Sequence, residues 1–351
     1  MRPGVKPWLY AGLLVGCVVG AIAQGPSATS ATAPASAASA ASTPSAPEVS
    51  PVAALEAAVG AAVRAQIDAG AMPGAVVVVG DDQGVWFKQA YGARATVPER
   101  EPMTLDTVFD LASLTKVVAT TTAVMQLVEQ GRLKLDETVA HYWPAFAAHN
   151  KGAVTVRQLL AHTSGLRPDL DTNPPWMGED AGLKLVLAER LQTEPGTCMV
   201  YSDINFIVLG ELVRRVSGMP LPEYARRRIF EPLGMRDSGF LPPASLRPRI
   251  APTELRGDGS MMRGQAHDPI AHRMGDWAGH AGAFGTADDL VKMAQAMLRS
   301  APGTTTKSPW LRPDTLAQMA HLQSPDTQAY WRSLGWSLDA PLWANRENGP
   351  P

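Results

Sequence analysis

The stretch Thr107–Thr121 reads TVFDLASLTKVVATT, and it places Ser113 three residues before Lys116 in a largely apolar run. Residues three apart on a helix share a face. A helix is expected from Ser113 to Gln130, where Gly131 ends it. If it starts at Ser113, the hydroxyl sits over free N–H groups and the positive end of the dipole, where developing anionic charge is favoured. Lys116 would then lie one turn in, beside Val117, Val118 and Ala119. Desolvation there favours a neutral amine, the form a general base needs. The S-x-x-K spacing alone is common by chance and does not by itself separate a catalytic pair from a helix with a polar stripe.

Outward from this stretch, the 351-residue chain has a formal net charge of −2. Its length fits one or two domains with a proper core, and the near-neutral balance gives no reason to expect nucleic acid as a partner. Residues 1–23 combine Arg2 and Lys6 with an apolar run and an A-x-A-like site at Ala21-Ile22-Ala23, the pattern of an export signal. Leu14-Val15-Gly16-Cys17 also resembles a bacterial lipobox, so membrane attachment is expected only if Cys17 is lipidated. The expected location is therefore periplasmic or extracellular. Residues 24–50 are rich in Ala, Ser, Thr and Pro and read as a linker. With Cys17 in the signal, Cys198 stands alone, is expected to be a small buried residue, and leaves no internal disulfide.

The folded domain is expected over residues 51–351. Ser50-Pro51 is an N-cap followed by a first helical residue, and Leu55, Val59, Val63 and Ile67 recur at helical spacing before Gly70. The run GAVVVVGDDQGVWFKQAYG reads as a β-hairpin. Helices follow near Val156–Ala161, Asn205–Val216 and after Thr286, where Thr286 and Asp289 resemble a capping box; Ser333–Leu338 is a candidate strand. The order does not alternate as a doubly wound sheet would.

A second polar cluster, Tyr201-Ser202-Asp203, lies between Pro195-Gly196 and an apolar helix. A loop tyrosine positioned by a rigid helix can move a proton, although one capping a core edge looks the same in sequence. His267, Asp268, His272, Asp276 and His280 crowd one short span. The residue types suit a metal, but the spacing matches no metal motif and no cysteine cluster accompanies it, so neither metal nor cofactor is expected. His162 stands near Ser164, yet no G-x-S-x-G motif occurs, and a hydrogen-bonded buried turn is the expected role.

Taken together and in order, TVFDLASLTKVVATT, GRLKLDETVAHYWP, VTVRQLLAHTSGL, EPGTCMVYSDINFIVLGELV, IFEPLGMRDSGF and HDPIAHRMGDWAGHAGAFGTADDLVKMAQ resemble the serine β-lactamase and penicillin-binding-protein superfamily. The closest branch is the class C β-lactamase-like serine hydrolases, which include D-Ala-D-Ala carboxypeptidases and esterases. The resemblance implies an α/β (α+β) β-lactamase/transpeptidase-like fold, with an antiparallel sheet flanked by helices and a helical subdomain. It implies Ser113 as acylated nucleophile, Lys116 as its base, and Tyr201 as a further proton carrier. The N–H of Ser113 would be half of an oxyanion hole. Asp203, where the family usually has Asn, and His280 are expected at the substrate-binding surface. The implied substrate is a D-alanyl peptide, a β-lactam or an ester. The family's third motif, a K-T-G or H-T-G strand, is not found after Leu334-Gly335-Trp336. The expectation is then a domain short of C-terminal strands, either weakly active or a non-catalytic penicillin-binding-like protein.

Overall fold

A computed structural model of the chain describes residues 50–300, 310–325 and 331–338. The signal, the lipobox cysteine and most of the linker lie outside them. The chain divides into two compact units at Ala62/Val63, within the first helix. That helix, α1 (Pro51–Asp68), starts as expected: Ser50 Oγ accepts from Ala53 N at 3.2 Å. Gly70, at φ +69°, supplies the left-handed residue that ends it.

The valine run forms β1 (Gly74–Gly80), and the aromatic run forms β2 (Val85–Ala95), paired antiparallel from Gly74 opposite Gly92 to Gly80 opposite Val85. Asp81 Oδ1 closes the turn by accepting from Gln83 N and Gly84 N. β3 (Glu101–Pro102) adds to β2, giving the order β1-β2-β3. A second sheet pairs β4 (Val108–Asp110) with a distant strand, described below.

The Ser113 segment is not one regular helix. Ala112–Leu114 form a 3₁₀ turn, Lys116–Thr121 a π-helical turn, and only then does α2 (Thr122–Glu129) begin. Ser113 is therefore inside a tight turn rather than at an α-helical N-cap. The π turn suits a functional stretch, because such turns recur as local bulges at sites. All six of its residues are buried. Gly131, at φ +68°, follows α2 as expected.

A helical layer comes next: α3 (Val139–Tyr142), α4 (Val156–Leu160), α5 (Glu179–Ala188), α6 (Asp203–Ser217) and α7 (Leu221–Ala225). Thr155 and Gln158 form a reciprocal capping box on α4. α6 is the central helix; ten consecutive residues from Ile204 to Val213 are buried, so it is surrounded rather than laid on a surface. Val124 and Leu127 of α2, Phe206 and Leu209 of α6, Leu159, Leu160 and Phe146 share the main core. Each such side chain contributes about 1.5–3 kcal/mol by leaving water.

Short strands β5 (Gly239–Phe240), β6 (Glu254–Leu255) and β7 (Met261–Met262) precede α8 (Pro269–Arg273), β8 (Ala283–Thr286), α9 (Ala287–Arg299) and α10 (Pro313–Ala320). β8 is the centre of the second sheet, ordered β4-β8-β5, with Phe109 opposite Gly285 and Phe240 opposite Ala283. This sheet was not visible as periodicity. Thr286 Oγ1 caps α9 through Asp289 N, but the Asp289 carboxylate accepts from Asp237 N and Ser238 Oγ, so the capping is one-sided. α9 flanks the hairpin: Lys88 pairs with Asp288 at 2.5 Å, and Gln295 and Arg299 donate to the Asp81 and Asp82 carbonyls. The result is a mixed α/β fold of antiparallel sheets flanked by helices.

Two local expectations are corrected. Ser333–Leu338 is no strand among the described residues; it is a turn with one bridge, Arg332 to Ser337. Gly335 stands at φ +80°, donates to Leu160 O, and a Cβ there would meet Thr121 Oγ1 at 2.1 Å. Cys198 is half-exposed rather than buried, in the loop before Tyr201.

Candidate active site

The chain enters the site in a strained conformation. Ala112 adopts φ +45°, which costs an L-residue about 1–2 kcal/mol. Asp110 holds it there. Its carboxylate accepts from Ala112 N and His267 N, each at 2.8 Å. Burial pushes the Asp110 carboxyl up, against the pull of those two bonds. The consequence is an exposed Ser113 presented just before a buried Lys116.

Lys116 Nζ donates to Ser113 Oγ at 3.0 Å and to the carbonyl of His280 at 3.2 Å, and pairs with Asp203 Oδ1 at 2.6 Å. Two of these contacts are hydrogen bonds; the third, to Asp203, is an ion pair outside hydrogen-bond geometry. The side chain is only 3% exposed, so its approach to Ser113 is set by protein groups rather than by water. Tyr201 covers it: Nζ lies 4.9 Å from the ring centroid. The sequence-predicted Ser113, Lys116, Tyr201 and Asp203 thus converge on one ammonium.

α6 places two of these groups. Ser202 is its N-cap, accepting from Asn205 N at 3.4 Å and donating to Arg167 O at 2.6 Å. Asp203 sits in the first turn, where a carboxylate also suits the helix dipole. Tyr201 precedes the cap and stacks on His162, centroids 4.5 Å apart. His162 is the buried turn residue expected: it has φ +58° and its Nδ1 accepts from Ser202 N at 3.0 Å. Burial, then the charges of Arg332 and Lys116, hold its imidazole well below the usual range. Ser164 gives its hydroxyl to Asn205 Oδ1 at 2.6 Å, so it forms no pair with His162.

The histidine-rich span behaves differently from a substrate surface. His280 has no exposed surface; its ring Nε2 meets Asp268 Oδ1 at 2.8 Å. Asp268 caps α8, accepting from Ile270 N and Ala271 N. Burial would raise the Asp268 carboxyl, but His280, the Ala271 N–H and the Lys116 charge together hold it at about 2. His272 pairs with Asp276 instead, at 2.6 Å. Asp203, Asp268 and His280 bring ligand atoms within 4.8 Å of one another. Asp203 is already paired with Lys116 and Asp268 with His280, so a cation there would displace both contacts.

Sequence reasoning missed Thr115 and Thr120. Thr115 Oγ1 accepts from Ala283 N at 3.1 Å, and Thr120 Oγ1 donates to Gly279 O at 2.5 Å. Two buried hydroxyls flanking the lysine in an apolar run were the available signal. Asp268 was seen only as a metal candidate, although an Asp directly before Pro269 is itself a helix-start pattern.

A serine and a buried lysine three residues apart, under a loop tyrosine and beside a mixed α/β core, define a β-lactamase/transpeptidase-like protein. Residues 59–345 match the family described as Beta-lactamase, and the chain belongs to it. A protein of Escherichia coli (strain K12) named "Putative D-alanyl-D-alanine carboxypeptidase" is 33% identical over 267 residues, 66% of this chain and 61% of that protein. The chain therefore spans about three-fifths of that relative's length. Among solved structures, "EstCE1, a hydrolase with promiscuous acyltransferase activity" is 26% identical, with TM-score 0.67, covering 85% of this chain and 87% of that one. The D-alanine carboxypeptidase AmpC from Burkholderia cenocepacia shares the fold at 24% identity, with TM-score 0.64 over 81% of this chain and 74% of that one.

Proposed function

We propose that the protein is an exported serine hydrolase that works through an acyl-enzyme on Ser113, with D-alanyl-D-alanine cell-wall peptides as its substrates. The observation that carries this reading is the 3.0 Å hydrogen bond from buried Lys116 to exposed Ser113. In the proposed reaction Ser113 Oγ attacks the acyl carbonyl and its proton passes to the neutral-amine form of Lys116, directly or through Tyr201. The tetrahedral oxyanion is met by the N–H of Ser113, and electrostatic help of this kind is usually the largest single contribution to such catalysis. Collapse expels the leaving amine, which takes a proton from Tyr201 or Lys116. Water then releases the acyl group. The relative named "Putative D-alanyl-D-alanine carboxypeptidase" supports the peptide substrate, and the likeness to a hydrolase with promiscuous acyltransferase activity makes transfer of another acyl group the nearest alternative.

The test is incubation of the full chain with a fluorescent penicillin and, separately, with a D-alanyl-D-alanine peptide. A Ser113 adduct by mass spectrometry and released D-alanine, both absent in Ser113→Ala, are expected. No adduct would overturn the reading. A permanent adduct with no turnover would make the protein a penicillin-binding protein rather than a hydrolase.

A further inference from the structure

Residues Gly279–Ala283 lie along the Ser113 segment and are tied to it by side chains at three levels. Ala283 N donates to Thr115 Oγ1, Lys116 Nζ donates to His280 O, and Thr120 Oγ1 donates to Gly279 O. The opposite side of this span is equally fixed. A Cβ on Gly279 would stand 1.8 Å from Phe206 O, so the backbone lies directly on α6.

His280 is held at two points. Its carbonyl faces Lys116, and its fully buried ring reaches Asp268 at 2.8 Å. The same Asp268 oxygen takes two backbone N–H groups of α8, so the ring is anchored to a helix terminus rather than to a mobile side chain. A buried carboxylate needs such donors, and here they also define where His280 sits.

We infer that His280, locked by Asp268, is a positioning residue that fixes the Lys116 amine within hydrogen-bond reach of Ser113. The inference rests on the reading of Ser113 as nucleophile and Lys116 as its base. A lysine side chain is long and flexible, and ordering it costs rotamer entropy. Two hydrogen bonds, to Ser113 Oγ and His280 O, and the ion pair with Asp203 Oδ1 remove that freedom. Asp203 alone could pull the amine toward α6; the His280 carbonyl supplies the second fixed point. Without the ring, the peptide carrying that carbonyl loses its tether to α8. Small displacements matter, because a misplacement of about 1 Å at a reacting group can cost about 100-fold in rate.

The experiment compares wild type, His280→Leu and His280→Gln in the full chain. Leu removes the contact with Asp268, whereas Gln keeps an N–H at a similar reach. Saturation kinetics with a fluorescent penicillin separate binding from the acylation step. His280→Leu is expected to slow acylation by about 10–100-fold with binding unchanged, and His280→Gln to restore most of it. A second readout does not need activity. In a protein with ¹³Cε-labelled lysine, the Lys116 signal, assigned by its loss in Lys116→Arg, is expected to move in His280→Leu and to return in His280→Gln. If His280→Leu does not fold, Asp268→Asn, which keeps an N-cap acceptor, replaces it with the same expected direction.

A folded His280→Leu chain with wild-type acylation and an unmoved Lys116 signal would overturn the inference. So would a His280→Gln chain as impaired as His280→Leu in both readouts. If wild type is not labelled at Ser113, the hydrolase reading fails, and the Lys116 signal alone then decides the positioning role.

Discussion

Gly279 rests on the backbone of Phe206, leaving no room for even a methyl group between them: a Cβ would lie 1.8 Å from the Phe206 carbonyl oxygen. Gly210 meets the same span from one turn further along α6, where its own Cβ would lie 3.1 Å from Gly279 Cα. The obstructing atoms are backbone, so they cannot rotate aside. Gly279→Ala is expected to destabilise the fold by about 3 kcal/mol, at the upper end of overpacking costs. Urea unfolding followed by circular dichroism reads this directly, and a midpoint equal to wild type would refute it.

Lys116 is the group that couples Ser113 to the rest of the site. Lys116→Met keeps much of the stem but removes the amine from Ser113 Oγ, Asp203 Oδ1 and His280 O. Acylation by a fluorophosphonate is expected to fall about 10²–10⁴-fold, the range for losing a positioned general base. Stopped-time labelling and intact mass give the rate.

The Asp268 carboxyl makes a pH prediction. Burial raises it, but His280 and the α8 N–H groups draw it down from 3.8 to about 2. Its folded value lies below its unfolded value, so the stability it contributes is present above about pH 4. That contribution is lost as pH falls toward 2. The size is about 2 kcal/mol, taking 1.36 kcal/mol per unit. The stability difference between wild type and Asp268→Asn is therefore expected to be largest near neutrality and to shrink from pH 4 to pH 2. Denaturant titrations at pH 6 and pH 3 check the sign.

Lys151 offers a structural counterpart far from the reaction. Its fully buried ammonium donates to the carbonyls of Ala148, Leu187 and Glu189, joining the turn before α4 to the end of α5. Burial pulls its pKa down, with the Glu189 charge opposing. Lys151→Met fills similar space but strands three carbonyls, at about 1–3 kcal/mol for each group left buried and unpaired. A total loss of about 3–5 kcal/mol in urea unfolding, with Ser113 labelling unchanged at temperatures where the chain is folded, is the expected result.

The sequence signals that proved readable were local ones. Ser50-Pro51, the valine hairpin, Gly131 and the Thr286 cap each act within a turn of their own position, and each stands where expected. The β4-β8-β5 sheet escaped because Ala283–Thr286 is four residues long and its partners lie far away in sequence. Ser333–Leu338 looked like a strand, but Gly335 must fit against Thr121 and takes a left-handed turn instead. In the site, the Ser113–Lys116 spacing and the Tyr201 loop were legible as motifs. The contacts of His280 were not, because a histidine in sequence does not reveal which way its carbonyl and its ring will face.

Thr115, Lys116 and Thr120 each depend on a partner about 160 positions later: 168, 164 and 159 residues away respectively. Closing loops of that size is entropically slow and comes after local structure has formed. The Ser113–Lys116 turn can therefore form before its long-range contacts do. During synthesis the pair remains unassembled until the chain has been made through Ala283. In the finished protein, a local opening of Gly279–Ala283 would release the Thr115, Lys116 and Thr120 contacts together and uncover the face of α6 that Gly279 rests on.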